Sequence, residues 1–257
     1  MAQLTFKYGV MGSSKTAQAL IFAYNCRRLS NTSVTLMRPA IDTRDKPGMI
    51  SSRLGLESPC FVFDESYVFS LENVFIASGE RTLKSTNMLI IDEAQFLTPP
   101  QVDQLRDLVS FSDVEVYCYG LKTNYLTHLF PGSQRLLEVA DTIECIPYKC
   151  ACGKPAIYNG RFTETAPYTL ITEEDAKQGY IAIGYSYRPL CHECYTMHKD
   201  LLEYTHQIQA DISAKTVASQ ITSQDDTEED SQENSQEDTQ EDTKTCKGDK
   251  GTQCPYK

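Results

Sequence analysis

The chain has 257 residues, 40% of them hydrophobic, which is enough to build a core in one medium domain with an appendage or in two modest domains. The net charge of −11 is uneven, because residues 219–243 contain ten acidic residues and no Lys or Arg, so the remainder is nearly neutral. This composition excludes a wholly disordered chain and argues against a protein that binds nucleic acid through a basic surface. No apolar run approaches the ~20 residues needed to span a bilayer. The first eight residues lack a secretory-signal pattern, so we expect a cytoplasmic protein with reduced cysteines and no membrane partner.

The first sixty residues predict strands and a helix in alternation. Leu4–Tyr8 is a short, largely apolar stretch that predicts a strand, and Gly9 ends it. Residues 16–29 predict a helix, because apolar residues recur at helical spacing and neither Gly nor Pro interrupts them. Residues 33–37 predict a second strand, and residues 41–58, rich in Asp, Arg, Gly and Ser, predict a long loop.

The middle of the chain continues this alternation. Residues 60–63 form a short apolar run, and residues 88–91 are continuously apolar, as in a strand buried on both faces of a parallel sheet. Thr98 followed by Pro99 predicts the start of a helix, and residues 114–119 predict another strand. Together these elements predict an α/β domain with a parallel sheet and helices on both faces.

The composition changes near residue 145, where Cys, Tyr, Gly and Pro become frequent and helical periodicity is lost. Residues 201–208 predict one last short helix, and beyond about residue 210 large apolar residues nearly vanish. Such a tail cannot bury enough surface to offset a chain entropy of about 1–2 kcal/mol per residue. The predicted parts are an α/β domain at 1–145, a cysteine-bearing domain at 146–205 and a disordered acidic tail at 206–257.

A phosphate-binding pattern lies between the first strand and the first helix. Residues 9–16 are GVMGSSKT, which resembles the phosphate loop G-x-x-x-x-G-K-[ST]. In such a loop backbone N–H groups bind phosphate oxygens, Lys15 bridges the β- and γ-phosphates and Thr16 binds Mg²⁺. Ser14 replaces the second glycine, and its side chain would crowd the phosphates or cost of order 1 kcal/mol in an unusual backbone conformation. The alternative is a chance match in a strand–helix turn.

Two acidic residues end the apolar run of residues 88–91. In nucleotide-binding sheets an acid at the end of a neighbouring strand meets the threonine of the loop through Mg²⁺, and Asp92 suits that role. Glu93 is then available as a general base toward a substrate hydroxyl. An exposed acidic strand end is the alternative, but the combination with the loop predicts a P-loop NTPase-like domain. The predicted ATP-binding residues are Gly9, Val10, Met11, Gly12, Ser13, Ser14, Lys15, Thr16, Asp92, Glu93, Ala94 and Gln95.

Two close cysteine pairs, separated by 38 residues, can bring four sulfurs around one Zn²⁺. Four protein ligands leave no open position for water, so the predicted site is structural. Buried thiols, a redox pair in the second C-x-x-C, or replacement of one ligand by His192 or Cys145 are the alternatives. The predicted zinc ligands are Cys150, Cys152, Cys191 and Cys194.

A long ordered series of motifs accompanies these sites. They are Ile41-Asp42-Thr43-Arg44, Ser52-Arg53-Leu54-Gly55, Asp92-Glu93-Ala94-Gln95-Phe96, Cys118-Tyr119-Gly120-Leu121-Lys122-Thr123, Phe130-Pro131-Gly132-Ser133 and Ile183-Gly184 before Tyr187. With Met11 at the third position of the loop and the cysteine pairs, the series resembles the P-loop, zinc-containing thymidine kinase family, bacterial members above all. The resemblance runs from about residue 2 to about residue 205.

The resemblance implies transfer of the ATP γ-phosphoryl group to the 5′-hydroxyl of thymidine, with deoxyuridine as a second candidate acceptor, giving dTMP in pyrimidine deoxynucleotide salvage for DNA synthesis. It implies Glu93 as catalytic base, Thr16 and Asp92 at Mg²⁺, and Asp42 and Arg44 near the phosphates. It also implies Mg²⁺ with ATP, a structural Zn²⁺, a homotetramer and feedback inhibition by dTTP. The implied substrate-binding residues are Met11, Leu121, Tyr125, Tyr180, Ile181, Ala182, Ile183, Gly184 and Tyr187.

Within this resemblance Tyr125 stacks on the thymine ring, and the zinc-bound flap that contains residues 180–184 and Tyr187 binds the base through its backbone. Two other functions compete with this interpretation. One is a nucleotide-binding homologue whose catalysis is impaired by Ser14. The other is a zinc-ribbon module that binds nucleic acid or protein, which leaves Lys15 and Glu93 without a role. Because the chain outside its tail is nearly neutral, we predict no direct binding of nucleic acid.

Overall fold

The computed structural model describes residues 2–29, 32–79, 86–163, 168–173 and 185–229. The chain divides into two units, Met1–Tyr204 and Thr205–Lys257, and the first contains both the parallel sheet and the cysteine-bearing region. Within the described ranges, no helix combines the length and the apolar character that crossing a membrane requires.

Strands and helices alternate along the first half of the chain. The elements are β1 (Leu4–Tyr8), α1 (Lys15–Arg27), β2 (Thr32–Pro39), β3 (Met49–Ser51), β4 (Glu57–Pro59), β5 (Phe61–Phe63), α2 (Leu71–Ser78), β6 (Thr86–Ile91), a short 3₁₀ helix (Ala94–Phe96), α3 (Pro99–Ser112), β7 (Val114–Gly120), α4 (Pro131–Val139) and β8 (Thr142–Cys145). The cysteine-bearing region adds β9 (Tyr158–Thr163), β10 (Tyr185–Leu190) and α5 (His192–Glu229).

Six strands form one parallel sheet in the order β5-β2-β6-β7-β1-β8. The predicted α/β class with a parallel sheet is therefore confirmed. Two antiparallel pairs, β3–β4 and β9–β10, lie outside it. In the first unit, the phosphate loop follows β1, and Asp92 follows β6, so both lie at the carboxyl edge of the sheet.

Apolar side chains cover both faces of the sheet, as the continuous hydrophobic runs predict. On one face Ile90 packs with Leu20 and Ala23 of α1. On the opposite face Leu89 packs with Leu105 of α3, and α4 contributes Leu136. Successive residues of β6 thus enter different clusters, because side chains alternate across a strand.

The start of α3 follows directly from its sequence. Thr98 Oγ1 accepts a hydrogen bond from the Gln101 N–H at 3.3 Å, and Gln101 Oε1 accepts one from the Thr98 N–H at 3.1 Å. This reciprocal capping satisfies two N–H groups at the helix N-terminus, and Pro99 occupies a position where no N–H is required. The predicted helix start is confirmed.

Three elements differ from the sequence predictions. The predicted loop of residues 41–58 contains the hairpin β3–β4. Helix α2 was not predicted, and Val74 is the one buried residue of its eight. Helix α5 continues through Glu229, well past the predicted 201–208 and into the segment for which disorder was predicted. It contains no Gly or Pro, and residues 203–215 are exposed, so helix propensity rather than burial accounts for that stretch. Residues 230–257 lie outside the described ranges.

Candidate active site

The phosphate-loop segment turns between β1 and α1 with two residues in the left-handed region. Gly12 has φ of 84° and Ser14 has φ of 63°. Ser14 is the N-cap of α1 and is exposed, so the serine in the second glycine position carries an unfavourable backbone conformation of the order of 1–2 kcal/mol. At Gly9 a Cβ would lie 2.5 Å from Ser13 Oγ and 3.0 Å from the Ile146 carbonyl oxygen, so a side chain there would displace these neighbours.

Three N–H groups of the loop are used to hold its shape. The Gly9 N–H donates to the Gly120 carbonyl at 3.2 Å, and the Ser13 N–H donates to the Val10 carbonyl at 3.2 Å. Between them the Met11 N–H donates to Asn159 Oδ1 at 2.7 Å. Helix geometry leaves the N–H groups of the first turn of α1 without intrahelical partners, which makes them suitable donors to an anion.

Lys15 places a positive charge under the loop. Lys15 is 8% exposed, and its Nζ donates a hydrogen bond to the Val10 carbonyl at 2.9 Å. Burial lowers the pKa of Lys15, while the nearby carboxylates of Glu93 and Asp92 oppose that shift. A buried ammonium that is held by a carbonyl can stabilise an incoming anion at close range, because the surroundings screen it poorly.

Thr16, at the start of α1, contacts Asp92, at the end of β6, although β6 is not adjacent to β1, the strand that precedes α1. Thr16 Oγ1 donates to Asp92 Oδ2 at 2.8 Å. Strand β7 lies between β1 and β6, so the prediction that Asp92 ends a strand next to β1 was wrong in that detail. Burial raises the pKa of Asp92 to about 7, Glu93 adds to the shift, and the Thr16 hydrogen bond opposes it. A divalent cation beside the hydroxyl and carboxylate oxygens would reverse this shift, so the pair fits Mg²⁺.

Glu93 is held by two polar neighbours. It adopts the left-handed region with φ of 53°, its Oε1 accepts a hydrogen bond from Arg44, and its Oε2 accepts one from Gln95. Gln95 Oε1 in turn accepts the Leu121 N–H at 3.0 Å. Arg44 also donates to Asp42 at 2.7 Å, so it links the two carboxylates. Burial alone would raise the pKa of Asp42, but the hydrogen bonds from Arg44 outweigh burial and hold it below its usual value.

Two cavities meet at Glu93. One, of about 460 Å³, is lined by Lys15, Thr16 and Asp92. The other, of about 330 Å³, is lined by Tyr125 and other aromatic residues. The residues common to both linings are Met11, Asp42, Arg44, Glu93 and Leu121. The candidate base therefore borders both a polar cavity at the loop and a more apolar cavity beside it.

The four predicted zinc ligands lie together. Their sulfurs are all within 4.8 Å of one another, and Cys152 Sγ and Cys191 Sγ are 3.6 Å apart. Tetrahedral zinc with Zn–S bonds of 2.3 Å requires sulfur separations of roughly 3.8 Å. Cys145 and His192, the alternative ligands, are not in the group. The cluster can hold one metal ion, and its all-sulfur donor set suits zinc.

The thiols of this cluster influence one another. Burial alone would raise the pKa of Cys150, but N–H groups of Cys152 and Cys191 and the neighbouring thiols bring it to about 7. Hydrogen bonds to the thiols of Cys152, Cys191 and Cys150 instead raise the pKa of Cys194 to about 12. Metal binding requires thiolates, so a cluster that deprotonates one thiol near neutral pH is prepared for a cation.

Comparisons with known proteins identify the family of the chain. The family described as thymidine kinase matches residues 2–195. The chain belongs to the thymidine kinase family. A thymidine kinase of Legionella pneumophila (strain Paris) is 36% identical over 187 residues, which cover 71% of this chain and 87% of the relative. Thymidine kinases of Albidiferax ferrireducens and of Enterobacteria phage T4 are 37% and 38% identical over 196 and 165 residues, covering 76% and 64% of this chain and 92% and 82% of the relatives. The resemblance found in the sequence is thus confirmed.

Most of the residues that the thymidine kinase resemblance implies lie around the two cavities, but some do not. Val10 is buried in an apolar cluster, and Ala94 is fully buried in the core. Leu121, Tyr125 and Tyr187 line the second cavity. The other flap residues lie outside the described ranges; they are Tyr180, Ile181, Ala182, Ile183 and Gly184.

Sequence reasoning missed Asn159 of β9, which is 4% exposed, lines the second cavity and bonds to the loop. It also assigned no role to Tyr148 and Arg53, which line the first cavity. No sequence signal distinguishes a single Asn in a strand, and only the fold brings Asn159 to the loop.

Proposed function

We propose that this chain is an ATP-dependent thymidine kinase, which transfers the γ-phosphoryl group of ATP to the 5′-hydroxyl of thymidine and releases ADP and dTMP. The observation that carries the proposal is the position of Glu93 on the wall shared by the two cavities. A triphosphate in the cavity at Lys15 and a nucleoside in the cavity at Tyr125 would meet at this carboxylate. Family membership supports the same reaction.

The phosphate side supplies positive charge and donors. The first-turn N–H groups of α1 and the ammonium of Lys15 hold the β- and γ-phosphates. Thr16 and Asp92 would hold Mg²⁺, which neutralises charge on the transferring group when bound. Because phosphoryl transfer depends mainly on positioning and charge, these residues account for much of the required catalysis.

Glu93 supplies the general base. Its carboxylate accepts the proton of the 5′-hydroxyl as the new O–P bond forms and the bond between the γ-phosphorus and the bridging oxygen breaks. Gln95 and Arg44 fix the carboxylate orientation. Arg44 is more than half exposed and also borders the phosphate cavity, so it can remain near the transferring group as negative charge develops.

The second cavity is the proposed binding site for the nucleoside. The guanidinium of Arg161 lies 5.0 Å from the ring centroid of Tyr125 and 6.0 Å from that of Tyr187, which holds two aromatic rings beside the cavity. We infer that Tyr125 stacks on the thymine ring and that the flap of residues 180–184 binds the base through its backbone. Zinc at the four cysteines would then fix the strands from which the flap extends.

Three further properties belong to this proposal: a cytoplasmic location, a homotetramer and inhibition by dTTP. Metal-binding thiols that stay reduced favour the cytoplasm. Light scattering on the purified protein tests the tetramer. Addition of dTTP to the kinase assay tests feedback, which is contradicted if turnover is unchanged at saturating dTTP.

The direct experiment is a coupled kinase assay with Mg-ATP and a panel of thymidine, deoxyuridine, deoxycytidine and deoxyguanosine. We expect the full-length protein to use thymidine best, with deoxyuridine as the second acceptor, and a version without the acidic tail to behave alike. Lys15→Met, which lacks the loop ammonium, serves as the control for contaminating kinases. Equal use of deoxycytidine, or no ADP release with any nucleoside, contradicts the proposal.

A second candidate function rests on Ser14. Its left-handed backbone, where the phosphate loop pattern has glycine, favours a homologue that binds nucleotide but transfers phosphate poorly. The same assay on Ser14→Gly separates the two functions. A silent wild type with an active Ser14→Gly variant supports impaired catalysis, whereas comparable activity of both excludes it.

A further inference from the structure

Asn159 joins the cysteine-bearing region to the phosphate loop. It lies on β9, is 4% exposed, and accepts the Met11 N–H at 2.7 Å. Because a backbone N–H can only donate, the accepting atom of the amide is its oxygen, and the orientation of the side chain is fixed. A short hydrogen bond to a buried side chain holds the middle of a loop whose shape decides phosphate binding.

A second contact supports the same link. Val10, the residue before Met11, is 6% exposed and packs in one apolar cluster with Cys150 and Cys191. Adjacent residues of the loop are therefore attached to the cysteine-bearing region by packing and by a hydrogen bond. Among the described residues, the sheet holds this stretch at its Gly9 end, whose N–H donates to the carbonyl of Gly120.

The strand that carries Asn159 is paired with the strand that leads to Cys191. In the pairing of β9 with β10, Asn159 lies opposite Pro189, two residues before Cys191. The Ile157 N–H donates to the Leu190 carbonyl at 2.9 Å, which extends the pairing to the edge of the cluster. A metal ion that joins Cys191 to Cys150 would therefore fix the register and position of β9.

We propose that Asn159 is a positioning residue that couples metal occupancy of the four-cysteine cluster to the geometry of the phosphate loop. With metal bound, β9 presents Asn159 to the Met11 N–H and the loop is held in shape. Metal loss releases β9 and loosens the loop. Because coupling between two sites is reciprocal, nucleotide at the loop must also slow metal loss from the cysteines. This last statement rests on the proposed function.

The first test is hydrogen–deuterium exchange of peptides that cover residues 9–16 in the zinc-loaded, full-length protein. Asn159→Leu removes the acceptor and keeps the size of the side chain, whereas Asn159→Asp keeps an acceptor oxygen. We expect exchange at the loop to be roughly tenfold faster in Asn159→Leu, the factor that one ordinary hydrogen bond confers. Zinc content should be unchanged, and Asn159→Asp should restore protection. Equal loop protection in wild type and Asn159→Leu overturns the proposal.

The second test measures zinc transfer to a colorimetric chelator with and without MgADP. We expect MgADP to slow zinc loss several-fold in the wild type and clearly less in Asn159→Leu, which keeps only the Val10 packing, at a concentration that saturates both. Equal slowing of zinc loss in both proteins overturns the proposal. The absence of any slowing in the wild type also overturns it, and this wild-type measurement is sufficient if Asn159→Leu does not fold. Failure of MgADP to bind the wild type instead contradicts the proposed function, and the exchange experiment still decides whether Asn159 positions the loop.

Discussion

The sheet region (residues 2–145) and the cysteine-bearing region (residues 146–204) are stabilised in different ways. The sheet has apolar clusters on both faces, filled by fully buried residues such as Leu89, Ile90 and Leu105. Among its described residues, the cysteine-bearing region contributes six to the apolar cluster that also holds Val10, and two of the six are the cysteines Cys150 and Cys191. Burial can hold the sheet, whereas the small core among the described residues of the second region leads us to expect that a metal ion at the four cysteines stabilises it. The proposed nucleotide site lies where the two regions meet.

Loss of the metal should produce the largest difference between the regions. Zinc contributes about 10–16 kcal/mol of apparent binding free energy in small zinc peptides, so Cys191→Ser should lose zinc and unfold the cysteine-bearing region. The sheet region should keep its structure. Elemental analysis measures zinc, and limited proteolysis locates the unfolded part.

Cys145→Ser is the matched control, because Cys145 is exposed on β8 and lies outside the cluster. It should retain one zinc per chain. Full zinc content in Cys191→Ser, or proteolytic cleavage spread evenly over both regions, contradicts the claim that the metal stabilises the cysteine-bearing region alone.

A cavity in the sheet core should destabilise the sheet region and leave zinc bound. Leu105 is fully buried on α3, so Leu105→Ala should lower the free energy of unfolding by about 2–5 kcal/mol while zinc stays bound to the native protein. Urea unfolding measures the change. Phe111→Ala, on the same helix at 84% exposure, should alter stability by less than about 0.5 kcal/mol. Similar losses in the two variants would show that burial on α3 does not stabilise the sheet region.

Ser14→Gly tests the backbone strain in the phosphate loop, which lies where the two regions meet. Glycine adopts φ of 63° without the steric cost that serine has there, so the variant should be more stable by about 1 kcal/mol. Ser14→Ala is the control, since alanine retains that cost and should bring no gain. Thermal unfolding of the wild type and the two variants measures these differences in stability. An equal gain in stability in both variants would contradict the backbone strain assigned to Ser14.

A small effect of pH is expected at the edge of the sheet. The Leu4 N–H donates to Asp141 at 2.8 Å; this bond, helped by Arg106, outweighs a small opposing effect of burial and lowers the pKa of Asp141. A lowered pKa stabilises the fold above about pH 4, where the unfolded carboxyl is also ionised, and this stabilisation is lost as the pH falls further. Asp141→Asn should therefore be less stable than the wild type at pH 7 and equal to it in strong acid. A difference in melting temperature that does not change with pH contradicts this assignment.

The local features were predictable from the sequence, and the long-range ones were not. The run at residues 88–91, the Thr98 cap and the cysteine pairs each depend on a short pattern with a physical cause. The insertion of β7 between β1 and β6 is a property of the sheet order, which no short pattern encodes. The contact of Asn159 with Met11 spans 148 residues and depends on that three-dimensional arrangement. Helix α5 exceeded its prediction because helix propensity extends it over residues 203–215, where the side chains are exposed.

Phosphorylation of thymidine by the wild type and by Glu93→Gln is the most direct measurement. The amide retains the shape of the carboxylate but cannot accept the hydroxyl proton, so kcat should fall by about 10²–10⁴. Binding of Mg-ATP, measured by calorimetry, should be retained, because Lys15 and the first turn of α1 are unchanged. Unchanged turnover in Glu93→Gln would contradict the assignment of the base at the junction of the two cavities.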